Sequence, residues 1–277
     1  MLTVGSLFSG IGGIDLGLER TGHFRTIWFS EIDPYANRVL AKHWPNVPNL
    51  GNVKEINFGR IERPDVLVGG YPCQPFSTAG KRQGENDPRH LWPECLRALR
   101  ILRPRYALFE NVRGHVSLGF SRVLADLASI GFNAEWQVIP AAAIGAPHKR
   151  DRLFIVAYPE DYGQWRGYST DSGTLQEWAE IQLQAGRSSG IMADTSGEQL
   201  GRYGTQKPVT KTSRQRHNNP SRKGSYEFGE WWEVEPAVGR VANGIPARVD
   251  RLRALGNAVV PQVAEYIGYL IAEHANA

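Results

Sequence analysis

The chain has 277 residues, 41% of them hydrophobic and 22% charged, enough to bury a full core in one large domain or in a large and a small one, which excludes a wholly disordered or fibrous chain. Its 32 Lys and Arg against 28 Asp and Glu leave a net charge of +4, compatible with a polyanionic partner without pointing to one. Cys73 and Cys95, the two cysteines, stand in neither a C-x-x-C nor a Cys/His ligand spacing, and no stretch approaches the roughly 20 apolar residues of a membrane span, so no disulfide framework, metal or membrane contact is expected.

From residue 1 to about 158, short apolar runs alternate with helical patterns: 3–8 then 14–20, 26–31 then 34–43, 66–69 then 91–102, and 106–110 then 120–130. Strand and helix in alternation predict an α/β fold, a mostly parallel sheet with helices on both faces. Two further runs, 134–139 and 152–158, have no long helical pattern between them and are expected to form an antiparallel edge pair. From about 159 to 235 the pattern dissolves into Gly, Ser, Thr, Gln and Trp, as a partly disordered insertion would. Order returns after Pro236, and 259–272 carries apolar residues at helical spacing.

Several residues in this frame carry chemistry. The first strand ends in Phe8-Ser9-Gly10-Ile11-Gly12-Gly13, a glycine turn opening a helix, where backbone approach and a positive helix N-terminus suit a nucleotide-like ligand. It lacks the third glycine of the dinucleotide fingerprint, and such turns are common punctuation. Glu31, about 20 residues on at the end of the second strand, is placed to grip a ribose, which fits NAD and S-adenosylmethionine equally; Asp33 before Pro34 also reads as a helix N-cap. Asp65-Val66-Leu67-Val68-Gly69-Gly70 would deliver Tyr71-Pro72-Cys73-Gln74-Pro75-Phe76-Ser77 to the carboxyl edge of the sheet. A lone cysteine is more often a small buried hydrophobe than a nucleophile. Glu110, ending another apolar strand at the same edge, is expected to have a raised pKa. Arg150 and Arg152, alternating just before an apolar strand, are expected to share one face. Nucleophile, proton donor and fixed cation together suit attack on an electron-poor heterocycle.

In order, residues 8–13, Glu31, Gly70-Tyr71-Pro72-Cys73-Gln74-Pro75-Phe76-Ser77, Glu110-Asn111-Val112, residues 147–152 and Leu255-Gly256-Asn257-Ala258-Val259 resemble the ordered motifs of the DNA (cytosine-5)-methyltransferases of bacteria and phages. The resemblance spans the chain except for about 159–235. It implies a Rossmann-like, S-adenosylmethionine-dependent methyltransferase domain formed by 1–158 plus 250–277, with a small, loop-rich target-recognition domain at 159–249. Two departures stand out. The acid that the family sets against the adenine amine is Asn52 here, and the glutamine of its arginine motif is His148.

By this resemblance Cys73 adds to carbon 6 of a flipped-out cytosine, Glu110 donates to N3, and Arg152 holds O2, with Arg150 nearby favouring the thiolate. Cofactor contacts carry over to Phe8, Gly10, Gly12, Gly13, Glu31, Ile32, Val53, Leu91, Asn257 and Val259, with Asn52 in place of the adenine-binding acid and Pro72 on the floor. Gln74, Ser77, Lys81, Arg82 and Arg89 resemble the loop that closes over DNA. Arg214 and Arg216 belong to a cationic stretch between Gln199 and Tyr226 that contains no Asp or Glu and is read as a DNA contact. The implied partner is double-stranded DNA, and the expected state is a cytoplasmic monomer, with room for a separate cognate restriction endonuclease. Rival readings are a tRNA cytosine-5 methyltransferase of the same fold, an inactive DNA-binding remnant and an NAD oxidoreductase.

Overall fold

A computed structural model describes residues 1–72, 91–146, 148–162 and 248–276. Six strands form one mixed sheet: β1 (Leu2–Leu7), β2 (Phe24–Ser30), β3 (Val66–Gly70), β4 (Tyr106–Val112), β5 (Phe132–Pro140) and β6 (Asp151–Pro159), in the order β2-β1-β3-β4-β6-β5. The first four run parallel, and β6 is antiparallel to both β4 and β5. The expected antiparallel pair is present, with β6 inside the sheet and β5 at its edge.

Helices α1 (Gly13–Arg20), α2 (Pro34–His43), α3 (Trp92–Leu102) and α4 (Phe120–Ser129) fall where the periodicity places them. Local chemistry fixes α2: Asp33 Oδ1 accepts from the amides of Tyr35 at 2.9 Å and Ala36 at 3.0 Å, and Pro34 supplies a preset φ at the first turn. Two further helices end the chain, α5 (Arg248–Asn257) and α6 (Pro261–Asn276). The sequence pattern foresees only α6. In α5 the apolar residues Val249, Leu252 and Leu255 are all exposed, so it has no buried stripe for a periodicity argument to find.

Both faces of the sheet are covered, which is why its central strands read as unbroken apolar runs. Leu7, Leu67 and Phe109 pack on one side with Trp92, Leu99, Phe120 and Leu127 from α3 and α4. Val4, Val66, Val68 and Leu108 pack on the other with Ile14 and Leu18 of α1 and Val263, Ile267 and Ile271 of α6. The chain runs from β1 outward to β2, then crosses to β3 on the far side of β1, so the strand order reverses between β1 and β3. A crevice opens at the carboxyl ends of strands that diverge in this way.

Candidate active site

At the carboxyl end of β1 the backbone turns sharply. Phe8 has a φ of 52°, a left-handed conformation that costs a bulky residue about 1–3 kcal/mol and persists only where the surroundings enforce it. Gly10 follows with a φ of 55° and open space where a side chain would stand, so the backbone there is bare to a ligand. Gly12 and Gly13 serve packing: a Cβ on Gly12 would lie 2.6 Å from the Trp44 ring, and one on Gly13 2.6 Å from the Val259 carbonyl oxygen. Glu31, at the end of β2, accepts through Oε1 from the amides of Ile32 at 2.8 Å and Asp33 at 2.7 Å, and through Oε2 from Gly10 at 2.8 Å. A carboxylate offers about four acceptor positions, so one on Oε2 stays open towards a donor such as a ribose hydroxyl.

The second half of the site lies on β4 and β6. Glu110 pairs in register with Gly70 of β3 and Phe154 of β6, which makes Arg152, two residues from Phe154, its diagonal neighbour on the same face. Arg152 Nε lies 2.9 Å from Glu110 Oε1. Glycine at position 70 leaves room for this carboxylate, since a Cβ there would stand 3.1 Å from Oε2. Glu110 is 8% exposed, and burial pushes its carboxyl up while Arg152 and Arg150 pull it down; the balance lies at about 7. Asn111 Nδ2 donates to the Tyr71 carbonyl at 3.2 Å and so fixes the backbone just ahead of Cys73.

The two halves share one cleft of about 380 Å³, lined among others by Phe8, Gly10, Gly13, Glu31, Pro72, Glu110, Arg152, Asn257 and Val259. That volume falls in the range of small-molecule sites. Five carried-over residues are not among its lining, and Gly12, packed against Trp44, is the first of them. Ile32 is 69% exposed, and Val53 is buried in the apolar core. Asn52 accepts from the Lys54 amide at 3.2 Å and donates to Glu55 Oε1 at 2.8 Å, and so caps the short turn at Val53–Glu55. Leu91 caps α3.

Arg150 also departs from expectation. Alternation along a strand would set it beside Arg152, but β6 begins at Asp151 and Arg150 has a φ of 37°, so the extended rule stops one residue short of it. Its Nη2 donates instead to the carbonyls of Gly256 at 2.8 Å and Ala258 at 2.5 Å. Cys73, Gln74, Ser77, Lys81, Arg82, Arg89, Arg214 and Arg216 lie outside the described residues.

The structure adds residues to the site that pattern reading passed over. Asp15, 1% exposed on α1, lines the cleft and accepts from Ser6 Oγ at 3.1 Å and Thr26 Oγ1 at 3.5 Å; burial raises its carboxyl to about 7. The available signal was an acid on the otherwise apolar face of α1. Arg253 of α5 lines the cleft too and pairs with Asp33 at 2.6 Å. Among the described residues no group of three or more His, Cys, Asp or Glu is placed to hold a metal ion, and no helix is long and apolar enough to cross a membrane.

A family model for C-5 cytosine-specific DNA methylases matches residues 2–243. The chain belongs to that family. It is similar to the Type II methyltransferase M.HgiCII of Herpetosiphon aurantiacus, 36% identical over 165 residues that make up 57% of this chain and 37% of the relative. It is also similar to the Type II methyltransferase M.Eco47II of Escherichia coli, 38% identical over 179 residues, 61% of this chain and 42% of that one. The chain thus spans about two fifths of the length of these relatives. Among solved structures, the Entamoeba histolytica methyltransferase EhMeth superposes with a TM-score of 0.51 at 24% identity over 61% of this chain and 55% of that chain, a likeness of fold. With the mixed six-stranded sheet and its crevice, the fold is the Rossmann-like one of this family.

Proposed function

We propose that the chain methylates carbon 5 of cytosine in duplex DNA, with S-adenosylmethionine as methyl donor. The observation that carries this reading is the buried Glu110 carboxyl, balanced near neutrality against Arg152 at the mouth of the same cleft that holds the glycine turn and Glu31. The donor set fits S-adenosylmethionine: an open acceptor on Glu31 for the ribose, bare backbone at Gly10, and the Asn257–Val259 wall packed against the glycine turn. When bound, that cofactor supplies an electrophilic methyl group on a sulfonium.

Cytosine carbon 5 is too weak a nucleophile to take the methyl group unaided. Cys73, as thiolate, adds to carbon 6, and the displaced ring electrons move towards N3. A protonated Glu110 donates to N3 as that charge develops, while Arg152 holds Glu110 in place and faces O2. Carbon 5 then takes the methyl group, a base removes the carbon 5 proton, and elimination releases the Cys73 thiolate as N3 returns its proton to Glu110. The target base must leave the stack for any of this, because neither face of its ring is reachable in the duplex. Residues 159–249 act as the target-recognition domain in this reading. Similarity to Type II methyltransferases favours a modification role beside a separately acting endonuclease.

The decisive experiment pairs Cys73→Ala with duplex DNA carrying 5-fluorocytosine. The variant should lose transfer from radiolabelled S-adenosylmethionine while still binding cofactor, and the wild-type chain should form a Cys73–DNA adduct stable to denaturant, since fluorine cannot leave carbon 5 as a proton does. Near-normal turnover in Cys73→Ala would overturn the proposal.

A further inference from the structure

Helix α5 crosses the rim of the cleft, where Arg253, Ala254 and Gly256 line it and the chain runs on into Asn257 and Val259. A helix placed there is normally held by an apolar stripe, yet Val249, Leu252 and Leu255 are 78%, 38% and 58% exposed. What holds α5 among the described residues is polar, and it comes from opposite sides of the cleft. On the α2 side, Arg253 Nη2 pairs with Asp33 Oδ2 at 2.6 Å, the other oxygen of Asp33 being the cap of α2. On the β6 side, Arg150 Nη2 reaches the carbonyls of Gly256 and Ala258 at 2.8 and 2.5 Å. These carbonyls lie at the carboxyl end of α5, the negative end of its dipole, where a guanidinium is the most favourable partner.

Arg150 is also two residues from Arg152, whose guanidinium sits on Glu110. The left-handed backbone at Arg150 sends the two side chains to different jobs: Arg152 across to Glu110 on β4, Arg150 to the end of α5. We propose that Arg150 is a positioning residue for the cofactor wall: it clasps the carboxyl end of α5 to the arm that carries Arg152, with Arg253–Asp33 as the second clasp. The inference rests on reading the cleft as the S-adenosylmethionine site. It assigns Arg150 to cofactor retention and removes it from contact with the target base or the thiolate.

The two assignments separate in a comparison of binding with turnover. S-adenosylhomocysteine binding without DNA, followed by calorimetry, should weaken about ten- to a hundredfold in Arg150→Ala, the worth of removing hydrogen bonds from a charged donor. Turnover at saturating S-adenosylmethionine should stay within about threefold of wild type, and Arg150→Lys should recover part of the affinity, since an ammonium restores the charge but not the planar fork. Arg253→Ala should weaken cofactor binding in the same way. If Arg150→Ala binds S-adenosylhomocysteine within twofold of wild type while saturated turnover collapses, Arg150 acts on the base side and the inference is overturned; should Arg150→Ala not fold, the same split in Arg150→Lys decides. Hydrogen exchange over 254–259 in the ligand-free protein isolates the clasp from the cleft reading. Exchange there should quicken in Arg150→Ala whether or not cofactor binds, and unchanged exchange would sink the clasp. A wild-type chain that binds no S-adenosylhomocysteine would sink only the cleft reading.

Discussion

Glu110 and Asp15 are two carboxyl groups in one cleft whose burial has the same sign and whose neighbours differ. Glu110 faces a guanidinium, while Asp15 accepts from the hydroxyls of Ser6 and Thr26 and has the Glu19 charge nearby, yet both are balanced at about 7. For Glu110 this leaves a proton available near neutral pH. Glu110→Gln should slow single-turnover methyl transfer at least about a hundredfold with little loss of DNA affinity, because the proton is needed mainly as charge builds on the ring. The wild-type rate should also fall as pH rises past about 7, and the residual rate of the variant should lack that fall; a variant impaired in DNA affinity alone would refute the role. For Asp15 the consequence is stability. Its ordinary value of 3.8 rises to about 7 in the folded chain, so between those values the folded state holds a proton that the unfolded state has released, and stability must decline as pH rises through the window. Glu110 adds to the same slope from 4.5 upward. Urea midpoints at pH 5 and pH 8 should therefore differ less in Asp15→Asn than in wild type, and an equal difference would show that Asp15 does not titrate there.

Helix α1 meets α6 through glycines, and that contact sets where the cofactor wall stands. A Cβ on Gly17 would lie 2.2 Å from the Pro261 carbonyl oxygen and 2.6 Å from the Ala264 Cβ, so nothing larger than hydrogen fits without moving α6. Gly17→Ala should cost about 1–3 kcal/mol in a denaturant melt, by overpacking a closed contact, and should weaken cofactor binding through the displaced Val259. A melt unchanged from wild type would mean that α6 yields freely. Most of these elements are legible in the sequence for a physical reason: strands buried on both faces write uninterrupted apolar runs, and Asp33-Pro34 writes a helix start. Glu110 is legible as an acid at the end of such a run. Its pairing with Arg152 follows from register that only the folded sheet supplies. Arg150 misleads because alternation presumes an extended backbone, and its φ of 37° breaks that presumption. Gly12 reads as a ligand contact because a glycine needed for packing and one needed for a ligand look alike in one dimension. Helix α5, held by arginines in place of a buried stripe, leaves no periodic trace.

At the scale of the whole chain, the described residues build a cleft that by the proposed reading orients a cofactor and one flipped base, but a pocket closing on a single cytosine has no means of reading its neighbours. By the proposed reading, recognition of the flanking sequence falls to residues 159–249, between Arg152 and the 256–259 element. The stretch from Gln199 to Tyr226 contains no Asp or Glu and includes Arg202, Lys207, Lys211, Arg214, Arg216, Arg222 and Lys223, a composition that suits phosphate binding. Cations on phosphates supply affinity without sequence information, whereas base edges in the major groove supply the choice of site. Neutralising Arg214 and Arg216 together should therefore weaken binding to all duplexes alike and flatten the dependence of log K on log salt by about 2, near one for each phosphate no longer neutralised, while the methylated sequence stays the same. Replacing 159–249 with the corresponding segment of a relative should change which cytosines are methylated, as read by mapping 5-methylcytosine across a defined genome. A chimera that remains active on the original sites would place recognition in the catalytic domain and end the assignment of this segment.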